Sequence, residues 1–595
     1  MPRRELDASA APLMSVRVVC RAHSQVDALA HVVAQISTLL DFGVSTCWSI
    51  PRACSRPLSE STAAATLLLD RLHAEEPDDM DPHFRMLLFS KALVNAVRAD
   101  NMETVQWLCK TYCPSGIAAS AMREAAKCGK MNILAWLAGN HEKVLWSSYF
   151  MDDAATEGQL EVLQWLDAHP KQPRCTSRAM DMAAANGHLD VVKWLQENKP
   201  DVRSSGALRM AITNGHLKVA KYLWEKNYRL HRDIAMDYAA QNNHLEVLQW
   251  LHDNKLSGCS TLAMDYAAAG GYLRGVQWLH ENRSEGCSPD AMDKAAAKGY
   301  LDVVQWLHVN RSEGCTSRAM NGAAENGHLD VVQWLHANRS EGCTTRAMDG
   351  AAANGHFEVV EWLDANRMEG WSPRTMGYAA SRGYLRIVQF LHDRMKGSHH
   401  GCTTHAMDGA AGNGHLEVVQ WLHDHRQEGC TTAAMDVAAS NGHLEMVKWL
   451  HANRSEGCTT NAMDDAAKND HIEVVQWLHT NRLEGCTTRA MGQASSVELL
   501  EWLHNNRSEG CTFQAMDNAA VFCNFPKLLY LHANQKEECS AIATSMVASS
   551  EHLEMFLWLY EHYPDRVNLE TIRMNFSTRA SLVELIRLMT HPVST

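Results

Sequence analysis

The feature that most constrains this chain is that it repeats. The block CTSRAMNGAAENGHLDVVQWLHANRSEG, from Cys315, is followed directly by CTTRAMDGAAANGHFEVVEWLDANRMEG, from Cys343. An aromatic before leucine marks the register, from Trp107 and Trp136 through Trp334 and Trp362 to Trp558. The spacing is 28 or 29 residues, apart from an insertion of three before Trp421, around His399 and His400, and a deletion of three before Trp502. A unit this short cannot bury its apolar faces alone, so neighbouring units must stack into one continuous core.

This register divides the chain. Residues 1–43 form an N-terminal segment with one helix expected from about Val26 to Leu40. Residues 44–87 read as a degenerate N-terminal capping repeat, 88–566 as an array of 17 repeats, and 567–595 as a degenerate C-terminal capping repeat. Atypical terminal units are expected where the outer face meets water.

Each unit is predicted to be two helices. Ser288-Pro289 and Ser372-Pro373 place a capping serine before a proline at the first helical position. The first helix, helix A, then runs through an AMDGAAAN-type stretch and stops at a glycine, as at Gly187, Gly299, Gly327 and Gly442. That glycine suits a left-handed cap. Asp100, Asn243 and Asp470 stand there in three units, and Asp and Asn are the next residues able to adopt that backbone. Helix B follows as HLDVVQWLHAN. At 100° per residue, Leu329, Val331, Val332, Trp334 and Leu335 cover an arc of roughly 220°, which predicts a helix packed on several sides. In helix A, Ala319, Met320, Ala323 and Ala324 form a narrower core stripe of small residues.

Composition narrows the function. A formal net charge of -14 argues against a duplex-DNA binder. No secretory start and no run of 18 apolar residues is visible, so neither export nor a membrane span is expected. The 18 cysteines are spread through a chain without a signal, which points to a reducing, intracellular compartment, cytoplasmic or nuclear.

Cysteines recur before helix A, as at Cys287, Cys315, Cys343 and Cys402, and histidines form two ladders, one opening helix B (His188, His328, His356) and one after the Trp-Leu pair (His280, His308, His336). Rungs about 10 Å apart cannot bring several ligands to one ion, so these read as packing residues and no metal or other cofactor is expected. The Arg and Glu of the NRSEG loops, such as Arg311 with Glu313, read as solvated charges. There is no phosphate-binding glycine loop and no nucleophile or metalloprotease motif, so the chain is not expected to be an enzyme.

The run AAANGHFEVVEWL, from Ala351, resembles the ankyrin repeat, whose helices carry a similar AA-x-x-GH-LEVV-x-x-L pattern. The resemblance spans most of residues 88–566. The unit here is shorter than the ankyrin unit of about 33 residues. The shortfall lies after helix B, where ankyrins carry a β-hairpin finger, and RAMD replaces their TPLH. The expected fold is therefore an all-α, ankyrin-like helix-turn-helix repeat solenoid with short inter-repeat loops. The resemblance implies a protein-interaction scaffold.

Comparison of the repeats with one another suggests where a partner sits. In helix A the Ala-Met-x-x-Ala-Ala positions barely change. Positions two before the Met, two after it and five after it vary freely and share one helix face. The candidate partner-binding residues on that face are Tyr238, Tyr266, Lys294, Arg318, Glu325 and Tyr378. Tyrosine is enriched at binding hot spots. The expected function is that of a monomeric scaffold or adaptor holding a protein or peptide along the helix A stack, without nucleic acid or membrane as partner. Two other readings stay open: an effector acting in another cell, and a regulatory array of an enzyme complex.

Overall fold

The computed structural model describes residues 49–54, 69–141, 144–171, 174–202, 204–230, 234–256, 258–394, 403–535, 538–576 and 579–590. The helix expected from Val26 to Leu40, His399, His400 and Cys402 lie outside the described residues. The fold is all-α, and among the described residues there is no strand.

One repeat serves for all. Thr316 caps helix A, Ser317–Glu325, its hydroxyl accepting from the Arg318 amide at 3.1 Å. Asn326 and Gly327 turn the chain, and helix B spans Leu329–Asn338. Gly327 has φ 79°, and Asp100, Asn243 and Asp470 occupy the same left-handed region at 55°, 60° and 64°. The expected caps therefore hold, including the non-glycine ones. At Ser372-Pro373 the cap hydrogen bond to the Arg374 amide is present, but the helix begins later, at Thr375.

The core is built from Ala319, Met320, Ala323 and Ala324 of helix A and Val331, Val332 and Leu335 of helix B, and its equivalents recur in each unit. Within the stretch from helix Ala207–Thr213 to helix Gln514–Val521, each helix A packs against helix A of the next repeat. Helix B is less enclosed than its apolar arc predicts, because Leu329 and Trp334 are only half-buried. Instead, the Trp334 ring takes the edge of His308 from the preceding repeat, with centroids 5.2 Å apart.

Three sets of polar contacts join consecutive repeats. The Asp293 carboxylate, 4% exposed, accepts from both the Thr316 amide at 2.7 Å and its hydroxyl at 2.6 Å, so one helix A holds the cap of the next. Asp237, Asp265, Asp436 and Asp464 do the same for Ser260, Ser288, Thr459 and Thr487. The Asn326 side chain donates to the Ala297 carbonyl at 2.9 Å. The NRSEG loops supply the third set. Arg311 clasps Glu313 through Nη2 and Nε, and Glu313 reaches the Cys287 amide at 3.2 Å. Their side chains are only 24% and 22% exposed, so these are interlocking ions rather than the solvated charges expected.

The described residues fall into two compact units, one drawn from Ser205–Ala543, the other from Met1–Ser204 and Thr544–Thr595. In the second of these, helix Leu553–His562 packs on helix Pro82–Arg98. There the Ser90 hydroxyl meets the buried Glu554 carboxyl, and Trp558 Nε1 donates to Asp81 at 3.1 Å. Burial pushes the Glu554 carboxyl up, against the lowering effect of the Ser90 hydrogen bond.

Candidate functional site

The candidate residues lie in the Ser205–Ala543 unit, on the side of helix A opposite its alanine-methionine core. That core fixes the register: Ala291, Met292, Ala295 and Ala296 are each at most 2% exposed, while Lys294 between them is half-buried. Tyr238 and Tyr266 are likewise half-buried, whereas Arg318, Glu325 and Tyr378 are exposed.

Three of the six come together. Lys294 Nζ stands 6.0 Å from the Tyr266 ring centroid and pairs with Asp290 at 2.9 Å. Asp290 in turn faces Arg318 Nη1 at 3.8 Å. The Lys294 hydrogen bond, aided by the charges of Lys294 and Arg318, holds the Asp290 carboxyl below its ordinary value. Adjacent rungs thus form one surface: aromatic at Tyr266, then alternately charged.

The other three stand apart. Tyr238 lines a hollow of about 300 Å³ with Arg209, Leu230 and Ile234. Tyr378 lines a larger groove of about 780 Å³ with Arg374, His405, Gly409 and Val437. Tyr378 is 41% and Val437 44% exposed, so two large apolar side chains face water there. Glu325 is exposed beside Gly350, where an added Cβ would come within 2.8 Å of the Glu325 Cβ.

Sequence comparison missed Arg346 and Arg374, although a signal was present. With Arg318 they stand 28 residues apart, two before the Met position in three successive repeats. It also missed the aspartates after the Met, which cap the next helix. Burial pushes the Asp265 carboxyl up, against the lowering effect of its Ser288 hydrogen bonds.

The residue ladders are packing devices. The His356 ring covers Gly327 of the preceding repeat, where an added Cβ would lie 2.5 Å from Nδ1. His280 Nδ1 faces Arg311 Nη1 at 3.4 Å. Burial pushes the Cys287 thiol up to about 12 and the Cys315 thiol to about 11, which keeps both protonated and poorly nucleophilic. Among the described residues no group of three His, Cys, Asp or Glu could hold a metal ion.

Two ankyrin family models match the chain. One, described as ankyrin repeats (3 copies), covers residues 151–234, 376–458 and 406–489. The other, ankyrin repeats (many copies), covers 236–280, 264–308, 292–336 and 323–363. Together they span more than half of the 595 residues. The chain belongs to the ankyrin repeat family. No curated protein matches this ankyrin chain. Similar solved structures include the pentatricopeptide repeat protein PPR10 from maize, at 11% identity and TM-score 0.27, covering 98% of each chain. The same protein in complex with an 18-nt psaJ RNA element is 12% identical, at TM-score 0.29, covering 96% of this chain and 100% of that one. Scores this low carry no argument about the ankyrin array or its partner. Among the described residues, no helix is long and apolar enough to cross a membrane.

Proposed function

We propose that this ankyrin array is a protein-interaction scaffold or adaptor, and that it holds a protein or peptide partner along the variable face of helix A. The observation that carries this reading is the surface made by Tyr266, Lys294, Asp290 and Arg318. It crosses consecutive repeats at positions that contribute nothing to the alanine-methionine core. Such a face can vary without cost to the fold, and its aromatic and cationic side chains are those that dominate binding hot spots. The general role of the family supports a binding, non-enzymatic function. Cys287, Cys315, Cys430 and Cys458 are buried free thiols, which fits an intracellular chain.

The triple substitution Tyr238→Ala, Tyr266→Ala, Lys294→Ala tests it. Surface changes alter stability by less than about 0.5 kcal/mol, whereas losing a hot-spot aromatic weakens binding by about 2 kcal/mol or more. The triple variant should melt as the wild type does and retain its partner clearly less well in affinity capture read by mass spectrometry. Gln333→Ala, on the exposed side of helix B, is the control. A folded triple variant that captures the same partner undiminished rules this face out.

A further inference from the structure

Two of the arginines two before the Met position pair with a carboxylate on this face of the preceding helix A: Arg318 with Asp290 at 3.8 Å, and Arg489 with Asp465 at 3.1 Å. Arg346 and Arg374 have no such neighbour. The preceding helices carry Gly322 and Gly350 two after the Met, and the residues two before it are themselves Arg318 and Arg346. Among the described residues neither guanidinium takes part in an ion pair, although the loop arginines Arg311, Arg339 and Arg367 each do.

The nearby helix A carboxylates are committed elsewhere. Asp349 accepts from the Ser372 amide at 2.9 Å and from the Thr375 hydroxyl. Asp408 accepts from the Thr431 amide at 2.6 Å and its hydroxyl at 3.0 Å. Glu325 is exposed but stands about two helical turns from Arg318 on the same helix, at the opposite edge of the face. The result is a stripe of exposed side chains at the starts of successive helices: Arg318, already facing Asp290, then Arg346 and Arg374, then His405. It runs into the apolar groove of Tyr378 and Val437.

We propose that this stripe binds an extended acidic peptide, whose carboxylates take the places that Asp290 and Asp465 fill at the other rungs, and whose apolar side chain enters the groove beside Tyr378. This deepens the scaffold reading and rests on it. Helices stack about 10 Å apart, and an extended chain of the polyproline II type rises about 3.1 Å per residue with about three residues per turn, so carboxylates about three residues apart share one face and match successive arginines. Arginine pairs with carboxylate through two parallel hydrogen bonds, which favours a planar acid here. A phosphodiester backbone fits less well, because it carries no aliphatic side chain to fill the groove of Tyr378 and Val437, as a peptide can.

The test uses the full chain and a fluorescein-labelled peptide of about twelve residues, with glutamate at about every third position followed by leucine, read by anisotropy. Its glutamine counterpart and a uridine oligonucleotide of similar length are the comparisons. The glutamate peptide should bind about tenfold tighter than the glutamine peptide at low salt, and the preference should shrink as salt screens it. Arg346→Gln with Arg374→Gln should abolish the preference without moving the melting temperature, and Tyr378→Ala should weaken both peptides alike. The proposal is overturned if both peptides bind equally, if neither binds, or if the double variant keeps its preference. It is also overturned if the oligonucleotide displaces the peptide and depends on the same arginines. None of these outcomes touches the Tyr238, Tyr266 and Lys294 experiment, which decides the scaffold reading separately.

Discussion

The Glu313 carboxylate accepts a hydrogen bond from the Cys287 amide at 3.2 Å, one repeat back along the chain. Through this contact a loop ion pair becomes a joint between repeats. Arg311→Ala would leave a three-quarters-buried carboxylate without its cation, and should lower stability by about 1–3 kcal/mol. The same pair carries a pH signature. The Arg311 hydrogen bond brings the Glu313 carboxyl from 4.5 down to about 2. A depressed carboxyl stabilises the fold fully above its unfolded value and loses that contribution as pH falls through the folded one. Wild type should therefore exceed Glu313→Gln in stability at pH 7, and the gap in denaturant midpoint should close between about pH 4.5 and 2. A gap that stays constant across that range contradicts the assignment.

The Asp293 contact to Thr316 has a built-in control elsewhere in the array. Asn321 stands at the equivalent position and still accepts from the Thr344 amide at 2.9 Å, while its side-chain amide donates to the Thr344 hydroxyl at 3.0 Å. Asp293→Asn should consequently cost under about 1 kcal/mol, and Asp293→Ala about 1–3 kcal/mol, because the Thr316 amide then loses its acceptor. A double-mutant cycle with Thr316→Val, measured by urea unfolding, should show coupling between the two residues. Additive effects would mean that the cap does not join the repeats.

Gly327 is constrained twice, by its φ of 79° and by the His356 ring above it. Gly327→Ala alone should destabilise by about 1–3 kcal/mol. Pairing it with His356→Ala should recover the part due to the ring and leave the backbone part. Thermal melts of the two variants separate these contributions, and no recovery would show that the ring contact carries no energy.

The glycine rule shows how far the sequence could be read. Asp100, Asn243 and Asp470 were legible as left-handed caps, because only backbone tolerance is needed to accept them. The reason glycine yields at these places lay in the next repeat. Asp470 meets Ser496 rather than a ring, Asp100 meets Lys130 at 2.9 Å, and beside Asn243 the Tyr272 ring turns onto Gly270 of its own repeat. Contacts between repeats leave no local pattern, so the Asp293 and Glu313 joints were not visible as such. Lys527 is the extreme case. It stands where other repeats have a core valine, and its ammonium donates to the Gly492 and Ala494 carbonyls at 2.9 and 2.7 Å, at the turn shortened by deletion. The variable face was found from its spacing, but the arginine stripe on it needed knowledge of which carboxylates were already engaged.

The meeting of Ser90 with Glu554 bears on how the protein is made. These residues are 464 positions apart, yet they lie in one compact unit. A ribosome adding about 5–20 residues per second needs roughly 20–90 s to cover that interval. Throughout that time the helix Pro82–Arg98 waits with Ser90 lacking Glu554 and its cap Asp81 lacking Trp558, while the intervening repeats can fold as they emerge. The first repeats synthesised are thus among the last to be completed, and they are the part of the nascent chain most in need of a chaperone.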